Sequence, residues 1–199
     1  ALFVRPYSEE ACQDVIQSAV EQGIVVCTYD MEMPNVDATY TQKSDNTVIG
    51  EAIGKMAAEW ANENLVAKGI PVKAGVLGVS FDPEMLKRAD TFQATLKEYC
   101  PEAEIVMVAD ATDNTTGAEC CENFLAAYPD MNLVMSIFDD SAVGFYDTLT
   151  SMNISQEFGI FACNATTEAC RLISEDTHFK GTLALSPDEV GRAMADAIY

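Results

Sequence analysis

The sequence predicts an α/β fold of doubly wound parallel sheets, and three observations point to it. Short, unbroken apolar runs such as residues 133–138 suit strands that are buried on both faces of a parallel sheet. Each run is followed by a segment whose apolar residues recur at helical intervals. Capping signals such as Asp82 followed by Pro83 mark where helices begin. Strands that alternate with helices of this length specify right-handed crossovers in a parallel sheet.

The first part of the chain supplies fewer strands than the second. Its predicted elements are a strand at 2–4, a helix at 8–22, a strand at 24–29, a surface loop at 32–44 and a long helix that Asp45 begins and Gly69 ends. Two strands are too few for a sheet comparable with the next one, and Ala1 enters directly on a strand. We therefore expect that the chain starts inside a longer polypeptide and that its first lobe is incomplete.

The second part continues the alternation. Its predicted elements are strands at 72–79, 104–109, 133–138, 158–162 and 181–185, which alternate with helices that start at 82, 113, 139, 166 and 186. Residues 186–189 are predicted to form a capping box for the last helix. Asp139 and Asp140 stand where a helix begins, at the carboxyl edge of the strands, where open α/β sheets meet their ligands. Either aspartate only caps this helix or also faces a ligand, and both possibilities stay open.

Composition limits the classes of partner. The 199 residues include 49% apolar and 22% charged residues, an ordinary share for a well-packed globule. The 11 basic residues against 32 acidic ones give a net charge of −21, which disfavours a nucleic-acid partner for this segment. No apolar run approaches the roughly 20 residues that span a bilayer, and no signal peptide is recognisable.

Neither a metal site, nor a cofactor, nor a catalytic centre is predicted. The seven cysteines form no Cys-x-x-Cys pair, and most of them, Cys170 included, lie in apolar strand-like or helix-like runs typical of small buried side chains. A Ser-His-Asp triad would have to recruit His178, which lies in a polar turn. Residues 75–80 match neither a nucleophile elbow nor a phosphate loop, so the sequence does not predict an enzyme.

Six phrases of the sequence occur in the order in which they stand in a known family. The phrases are Gly-Ile-Val-Val at 23–26 with Tyr29-Asp30, Ser-Asp-Asn at 44–46 with Gly50, Arg88 with Phe92, Ala-Tyr-Pro-Asp at 127–130, Asp-Asp-Ser-Ala-Val-Gly at 139–144 and Thr-Leu-Ala-Leu-Ser-Pro at 182–187. Together they resemble the periplasmic sugar-binding proteins of the ribose-binding type. Their fold, the type I periplasmic binding protein fold, is shared by the effector domains of Lac-repressor-like regulators.

The resemblance covers essentially the whole chain and implies two lobes with hinge crossovers that close over one small molecule. Residues 1–70 with 186–199 would form a partial first lobe, and residues 71–185 a complete second lobe. The implied function is extracytoplasmic capture of a sugar-like or nucleoside-like ligand, in the periplasm or as a cell-surface lipoprotein, for the membrane permease of an ABC transporter. The alternatives are the effector domain of a Lac-repressor-like regulator and the extracellular sensor domain of a signalling receptor.

The resemblance also implies a ligand pocket. Its residues would be Asp30, Met31, Arg88, Phe138, Asp139, Asn164 and Leu185, with Arg5 and Tyr7 at the same edge. Asp30 and Arg88 keep charged groups that sugar binders use for hydrogen bonds to hydroxyls. Sugar binders often carry Arg, Asn, Asp and Gln at the places where this sequence has Met31, Phe138, Asn164 and Leu185.

These departures remove charge or polarity from one cavity. An unpartnered buried polar group costs about 1–3 kcal/mol, so a pentose rich in hydroxyls would lose affinity, whereas Phe138 offers an aromatic face. We therefore expect a nucleoside or base, a deoxy or modified sugar, or another small metabolite. In the alternative, Phe138 points into the core because the helix register differs by one residue. Arg5 and Tyr7 either complete the site or are ordinary loop residues.

Overall fold

The computed structural model describes residues 1–6, 8–31 and 33–198, and within them strands and helices alternate along the chain. The elements are β1 Leu2–Val4, α1 Glu9–Glu21, β2 Val26–Tyr29, β3 Tyr40–Gln42, α2 Asn46–Asn64, a 3₁₀ turn Val66–Lys68, β4 Lys73–Gly78, α3 Pro83–Tyr99, β5 Glu104–Asp110, α4 Asn114–Ala127, β6 Leu133–Ser136, α5 Asp139–Ser151, β7 Gly159–Cys163, α6 Thr167–Ser174, β8 Phe179–Leu183 and α7 Pro187–Asp196. The predicted α/β class with parallel sheets is confirmed.

The chain divides into two compact units, which we call the first unit (Ala1–Asp45 with Ser186–Tyr199) and the second unit (Asn46–Leu185). The first unit contains a three-stranded parallel sheet in the order β1-β2-β3. Its small core includes Ile16 of α1 and Val26 of β2. The side chain of Ser8 caps α1 by accepting a hydrogen bond from the Ala11 N–H, as its sequence position indicates.

The second unit contains a five-stranded parallel sheet in the order β5-β4-β6-β7-β8. Two buried clusters contribute to its core: one includes residues of α2 and α3, and the other includes residues of α4, α5 and α6. The strand order reverses between β4 and β6, because β5 lies on the far side of β4. In doubly wound sheets this reversal opens a crevice outside the carboxyl ends of the strands.

Helices α4 and α5 approach each other through two glycines. A Cβ on Gly117 would overlap the carbonyl oxygen of Ser141, and a Cβ on Gly144 would overlap that of Asn114. Both positions therefore require glycine, because any side chain would push the helix backbones apart. This close packing fixes α5, whose first turn carries Asp139, against the rest of the unit.

A third strand in the first unit corrects our strand count. Tyr40–Gln42 falls inside the predicted surface loop, yet it pairs in parallel with β2. The strand is only three residues long, carries polar side chains and is half-buried at most, so it has none of the apolar alternation that marks a strand. Edge strands of this kind are difficult to recognise from periodicity alone.

The division between the units also differs from the predicted boundary near residue 70. Helix α2 belongs to the second unit because it packs closely on α3. A Cβ on Gly50 would lie 2.7 Å from the Arg88 carbonyl oxygen, and one on Gly54 would lie 2.7 Å from the Thr95 Cβ. The apolar face of α2 was visible in the sequence, but its partner was not.

Two predicted helix ends are wrong. Ser186 has a left-handed backbone (φ 45°) and makes no side-chain cap, so residues 186–189 do not form a capping box. Helix α2 ends at Asn64, and Gly69 instead closes the 3₁₀ turn in a left-handed conformation. By contrast, Asp82 caps α3 by accepting hydrogen bonds from the Glu84 and Met85 amides.

Candidate functional site

Four of the five predicted site residues of the second unit lie at the carboxyl edge, by which we mean the ends of β4 to β8 and the residues that follow them. Parallel pairing brings these ends to one side of the sheet, and backbone hydrogen bonds extend the pairing beyond the strands. The Ile137 N–H donates to the Leu77 carbonyl, and the Asn164 N–H donates to that of Leu183. Phe138, Asp139, Asn164 and Leu185 follow strands β6, β7 and β8 at this edge.

Arg88 is buried beside this edge, with 2% of its surface exposed. Its Nε donates to Asn46 Oδ1 at 2.9 Å, and its Nη1 donates to the Ile137 carbonyl at 3.0 Å. Asn46 is itself buried and donates to Glu84 Oε2 at 3.1 Å. Within residues 1–6, 8–31 and 33–198, Nη2 of Arg88 has no hydrogen-bond partner. The guanidinium is therefore held rigidly by neutral acceptors while one of its nitrogens stays available.

Asp139 is fully buried, and both of its carboxylate oxygens are occupied. Oδ2 accepts a hydrogen bond from the Thr166 N–H at 2.7 Å, and Oδ1 accepts one from the Thr182 hydroxyl at 2.6 Å. Phe138 occupies the N-cap position of α5, so Asp139 does not cap that helix. Its charge instead faces the N-terminus of α6, where the helix dipole stabilises an anion. Asp140, by contrast, is exposed.

Asn164 directly follows β7 in a strained backbone conformation, with φ at 132°, and Ala165 comes next with φ at 53°. Both values lie where side chains other than glycine's are disfavoured. The Asn164 side chain is half-buried, and its amide makes no hydrogen bond to any described residue. An amide that combines one acceptor with two donors is thus presented at the carboxyl edge.

Phe138 and Leu185, the two apolar residues of the predicted pocket in this unit, pack against the core of the second unit. Phe138 and Leu185 are both half-buried and contact the cluster that includes Ile137 and Phe161. Phe138 therefore belongs partly to the core and keeps part of its surface exposed at the carboxyl edge. Leu185 lies just beyond β8 and adds a second apolar surface there.

Sequence reasoning missed a polar pair at the same edge. Ser80, two residues beyond β4, donates to the Asp110 carboxylate through its N–H at 2.8 Å and through its hydroxyl at 2.7 Å. Phe81 follows with 65% of its surface exposed. The available signal was that Ser80 follows β4 and Asp110 ends β5, since carboxyl ends of parallel strands meet at one edge.

Cys163 is fully buried at the end of β7 and is not positioned as a nucleophile. Burial raises the pKa of its thiol to about 11, while the positive charge of Arg88 lowers that pKa and the negative charge of Asp139 raises it. The two charges thus act on this thiol in opposite directions. A thiol of this kind stays protonated at neutral pH.

The first unit carries the remaining predicted residues. Asp30, just past β2, has φ at 67°, and its carboxylate accepts hydrogen bonds from Arg5 Nε at 3.3 Å and Nη2 at 3.2 Å. Arg5 also lines a cavity of about 250 Å³ with Phe3 and Pro187. Met31 packs on the core of this unit. Tyr7 lies outside the described residues.

Residues 1–6, 8–31 and 33–198 contain neither a metal-binding cluster nor a membrane-spanning helix. No group of three or more His, Cys, Asp or Glu side chains there is arranged to hold a metal ion. No helix in this range combines the length and apolar character needed to cross a bilayer.

Two curated proteins illustrate the sequence similarity. The ABC transporter periplasmic-binding protein YphF of Escherichia coli (strain K12) is 22% identical over 98% of this chain and 60% of its own length. The ribose import binding protein RbsB of Salmonella typhimurium is 26% identical over 96% of this chain and 61% of its own length. The chain thus spans about 60% of the length of these relatives.

Solved structures share the fold. The periplasmic binding protein component of the arabinose ABC transporter from Shewanella sp. ANA-3, bound to L-arabinofuranose, aligns with a TM-score of 0.83 at 22% identity, over 100% of this chain and 65% of that one. An ABC transporter periplasmic solute binding protein from Actinobacillus succinogenes 130z with bound D-allose aligns with a TM-score of 0.84 at 19% identity, over 98% and 70%.

A family model completes the comparison. The model described as periplasmic binding protein domain matches residues 1–199, the full extent of the sequence. The resemblance drawn from the six sequence phrases is confirmed. The chain therefore belongs to the periplasmic binding protein domain family.

Proposed function

We propose that this chain recognises a sugar-like ligand as part of an extracytoplasmic solute-binding protein that serves an ABC-type importer. The observation that carries the proposal is the buried Arg88, whose guanidinium is fixed by Asn46 and Ile137 while Nη2 has no hydrogen-bond partner among the described residues. A buried charge held only by neutral acceptors is costly, and a role in ligand binding accounts for such an arrangement. Similarity to the ribose import protein supports the ligand class.

The carboxyl edge of the second unit supplies groups that match a sugar. Nη2 of Arg88 donates to a ligand oxygen, and a charge-assisted hydrogen bond of this kind is stronger than a neutral one. The Asn164 amide accepts from one hydroxyl and donates to another. The exposed part of Phe138 packs against the C–H face of a sugar ring.

The apolar surfaces at this edge favour a ligand with fewer hydroxyl groups than ribose. A hydroxyl placed against Phe138 or Leu185 would lose its hydrogen bonds to water without replacement. A deoxy or modified sugar avoids that loss. A nucleoside is the second candidate, because the half-exposed ring of Phe138 also suits stacking on a base.

In the first unit, we propose that Asp30 accepts hydrogen bonds from ligand hydroxyls. Its carboxylate is only 10% exposed, and Arg5 holds it in place through one of its oxygens. Delivery to a permease, either from the periplasm or as a lipoprotein, belongs to the same proposal.

The test is a thermal-shift and calorimetric screen of the full-length protein with D-ribose, L-arabinose, D-allose, 2-deoxy-D-ribose, uridine and adenosine. A ligand at a hundred times its dissociation constant stabilises the protein by about 2.7 kcal/mol, which is readily measured. Arg88→Lys should then weaken binding about tenfold or more, because the planar two-nitrogen group is lost while the charge is kept.

Two further variants complete the screen. Asn164→Gly should also weaken binding, and glycine accepts the positive φ at this position without strain. Arg171→Lys is the matched control, since this arginine is exposed on α6 and pairs with Glu168 and Glu175. If no sugar or nucleoside shifts the unfolding midpoint, or if Arg88→Lys binds as the wild type does, the proposal is wrong.

A further inference from the structure

We infer that Asp139 and Thr182 are positioning residues, which hold the strained segment Asn164–Thr166 in the conformation that presents Asn164 to the ligand. The inference rests on the proposed sugar-binding role of Asn164 and adds the groups through which that role is maintained. Neither Asp139 nor Thr182 needs to touch the ligand, because both act on the backbone behind it.

The segment would not hold its shape by itself. Asn164 and Ala165 are consecutive residues with positive φ, at 132° and 53°. Alanine has no side-chain polar group to compensate for this conformation, so a free loop of this sequence would relax toward negative φ. A strained backbone persists only where surrounding contacts impose it.

Three successive backbone N–H groups are fixed from outside the segment. The Asn164 N–H donates to the Leu183 carbonyl at 2.9 Å, and the Ala165 N–H donates to the Thr182 hydroxyl oxygen at 3.1 Å. The Thr166 N–H donates to Asp139 at 2.7 Å. The Thr182 hydroxyl hydrogen is in turn donated to the other Asp139 oxygen at 2.6 Å. One buried carboxylate thus determines the orientation of the hydroxyl that holds Ala165.

The outcome of this network is visible at the carboxyl edge. The backbone of Asn164 is locked, while its side-chain amide has no partner in the described part of the chain. A binding group on a rigid backbone loses less conformational freedom when a ligand arrives. The network therefore increases affinity by preorganisation and adds no ligand contact.

The first experiment compares Thr182→Val with Thr182→Ser in the full-length protein. Valine keeps the shape of threonine but removes the acceptor for the Ala165 N–H, so the affinity for the best sugar of the panel should fall about tenfold. Serine keeps the hydroxyl and should retain the wild-type affinity within about twofold. Equal affinities for the valine and serine variants would overturn the inference.

A double-mutant cycle separates positioning from general stability. Because Thr182 is inferred to act through Asn164, Thr182→Val should cause little further loss of affinity in a protein that already carries Asn164→Gly. Additive losses would contradict the inference while leaving the ligand contact of Asn164 intact. An unchanged affinity in Asn164→Gly alone would instead refute the contact itself.

Amide hydrogen exchange of the ligand-free protein tests the network without any sugar. Thr182→Val should accelerate exchange at residues 164–166 and leave residues 131–134 unchanged. Asn132→Ala is the matched control, because this buried side chain bonds Lys73 N and the Pro71 carbonyl at the amino end of β6. It should perturb its own surroundings and spare 164–166. Unchanged exchange at 164–166 in Thr182→Val would overturn the inference even if no sugar in the panel binds.

Discussion

At the scale of single residues, the buried charges of Asp139 and Arg88 differ in how many of their polar atoms are already hydrogen-bonded. Asp139 has both oxygens occupied by Thr166 and Thr182, whereas Arg88 keeps a nitrogen without a partner in the described residues. The sequence singled out both residues but could not rank them. The partners of Asp139 lie 27 and 43 positions away along the chain, so only the folded sheet brings them together.

The cysteines show where residue-level prediction failed. Cys170 was predicted to be a small buried side chain, yet it is exposed. Helix α6 buries Ala169 and Leu172, and the next residue on a helix points about 100° away from its neighbour. An apolar helix pattern therefore does not determine which face a cysteine occupies until the partner of the helix is known.

We predict that iodoacetamide at about pH 8 modifies native Cys170 first and leaves Cys121 and Cys163 unmodified. Burial raises the pKa of Cys121 to about 12 and that of Cys163 to about 11, so both thiols stay protonated as well as inaccessible. Peptide mass spectrometry measures the labelling, and the protein unfolded in guanidinium chloride, where all seven cysteines should react, is the control. Native Cys163 labelled as fast as Cys170 would contradict this.

At the scale of elements, strand and helix order was predictable because most strands are apolar and most helices start at a capping residue. Asp113 is an example, since its side chain accepts a hydrogen bond from the N–H of Thr116, the third residue of α4. The predictions that failed concerned features that depend on contacts with neighbouring elements. Strand β3 has no apolar pattern, and the partner of α2 is set by the close approach of Gly50 to α3.

Helix packing also yields a prediction at this scale. Gly144→Ala should lower the free energy of unfolding by about 1–3 kcal/mol or more, because the added methyl group overlaps the Asn114 carbonyl of α4. Gly191→Ala in α7 is the matched control, since a Cβ there meets nothing within 4 Å, and it should be neutral or stabilising by up to about 1 kcal/mol. Urea unfolding measures both. Equal free energies of unfolding for the Gly144→Ala and Gly191→Ala variants would show that α4 and α5 are not in this close contact.

At the scale of the whole molecule, charge is the property that the sequence predicts most directly. The net charge is −21 on 199 residues, so the acidic side chains repel one another, and this repulsion opposes the compact state. The ion pairs described for Lys73, Lys180 and Arg171 compensate only locally. The carboxyl-edge site, by contrast, depends on contacts between distant segments, which composition does not encode.

We therefore predict that added NaCl stabilises the protein at about pH 7. Raising the salt from about 0.01 M to about 0.15 M shortens the screening length from about 30 Å to about 8 Å, and the unfolding midpoint should rise by a few degrees. Near pH 5 the same addition of salt should raise the unfolding midpoint less, because more carboxylates are protonated as the pH approaches the isoelectric point of about 4.1. Calorimetry that finds no rise at pH 7 would exclude self-repulsion as a substantial cost.

The first unit is discontinuous in the chain, and this has a kinetic consequence. Its sheet is encoded before Asn46, but α7, which contacts β3, is encoded after Leu185. During synthesis the contiguous second unit leaves the ribosome before α7 does, so it can begin to fold while the first unit is still incomplete. Closing the first unit then joins segments separated by the whole second unit, and such distant closures are slow.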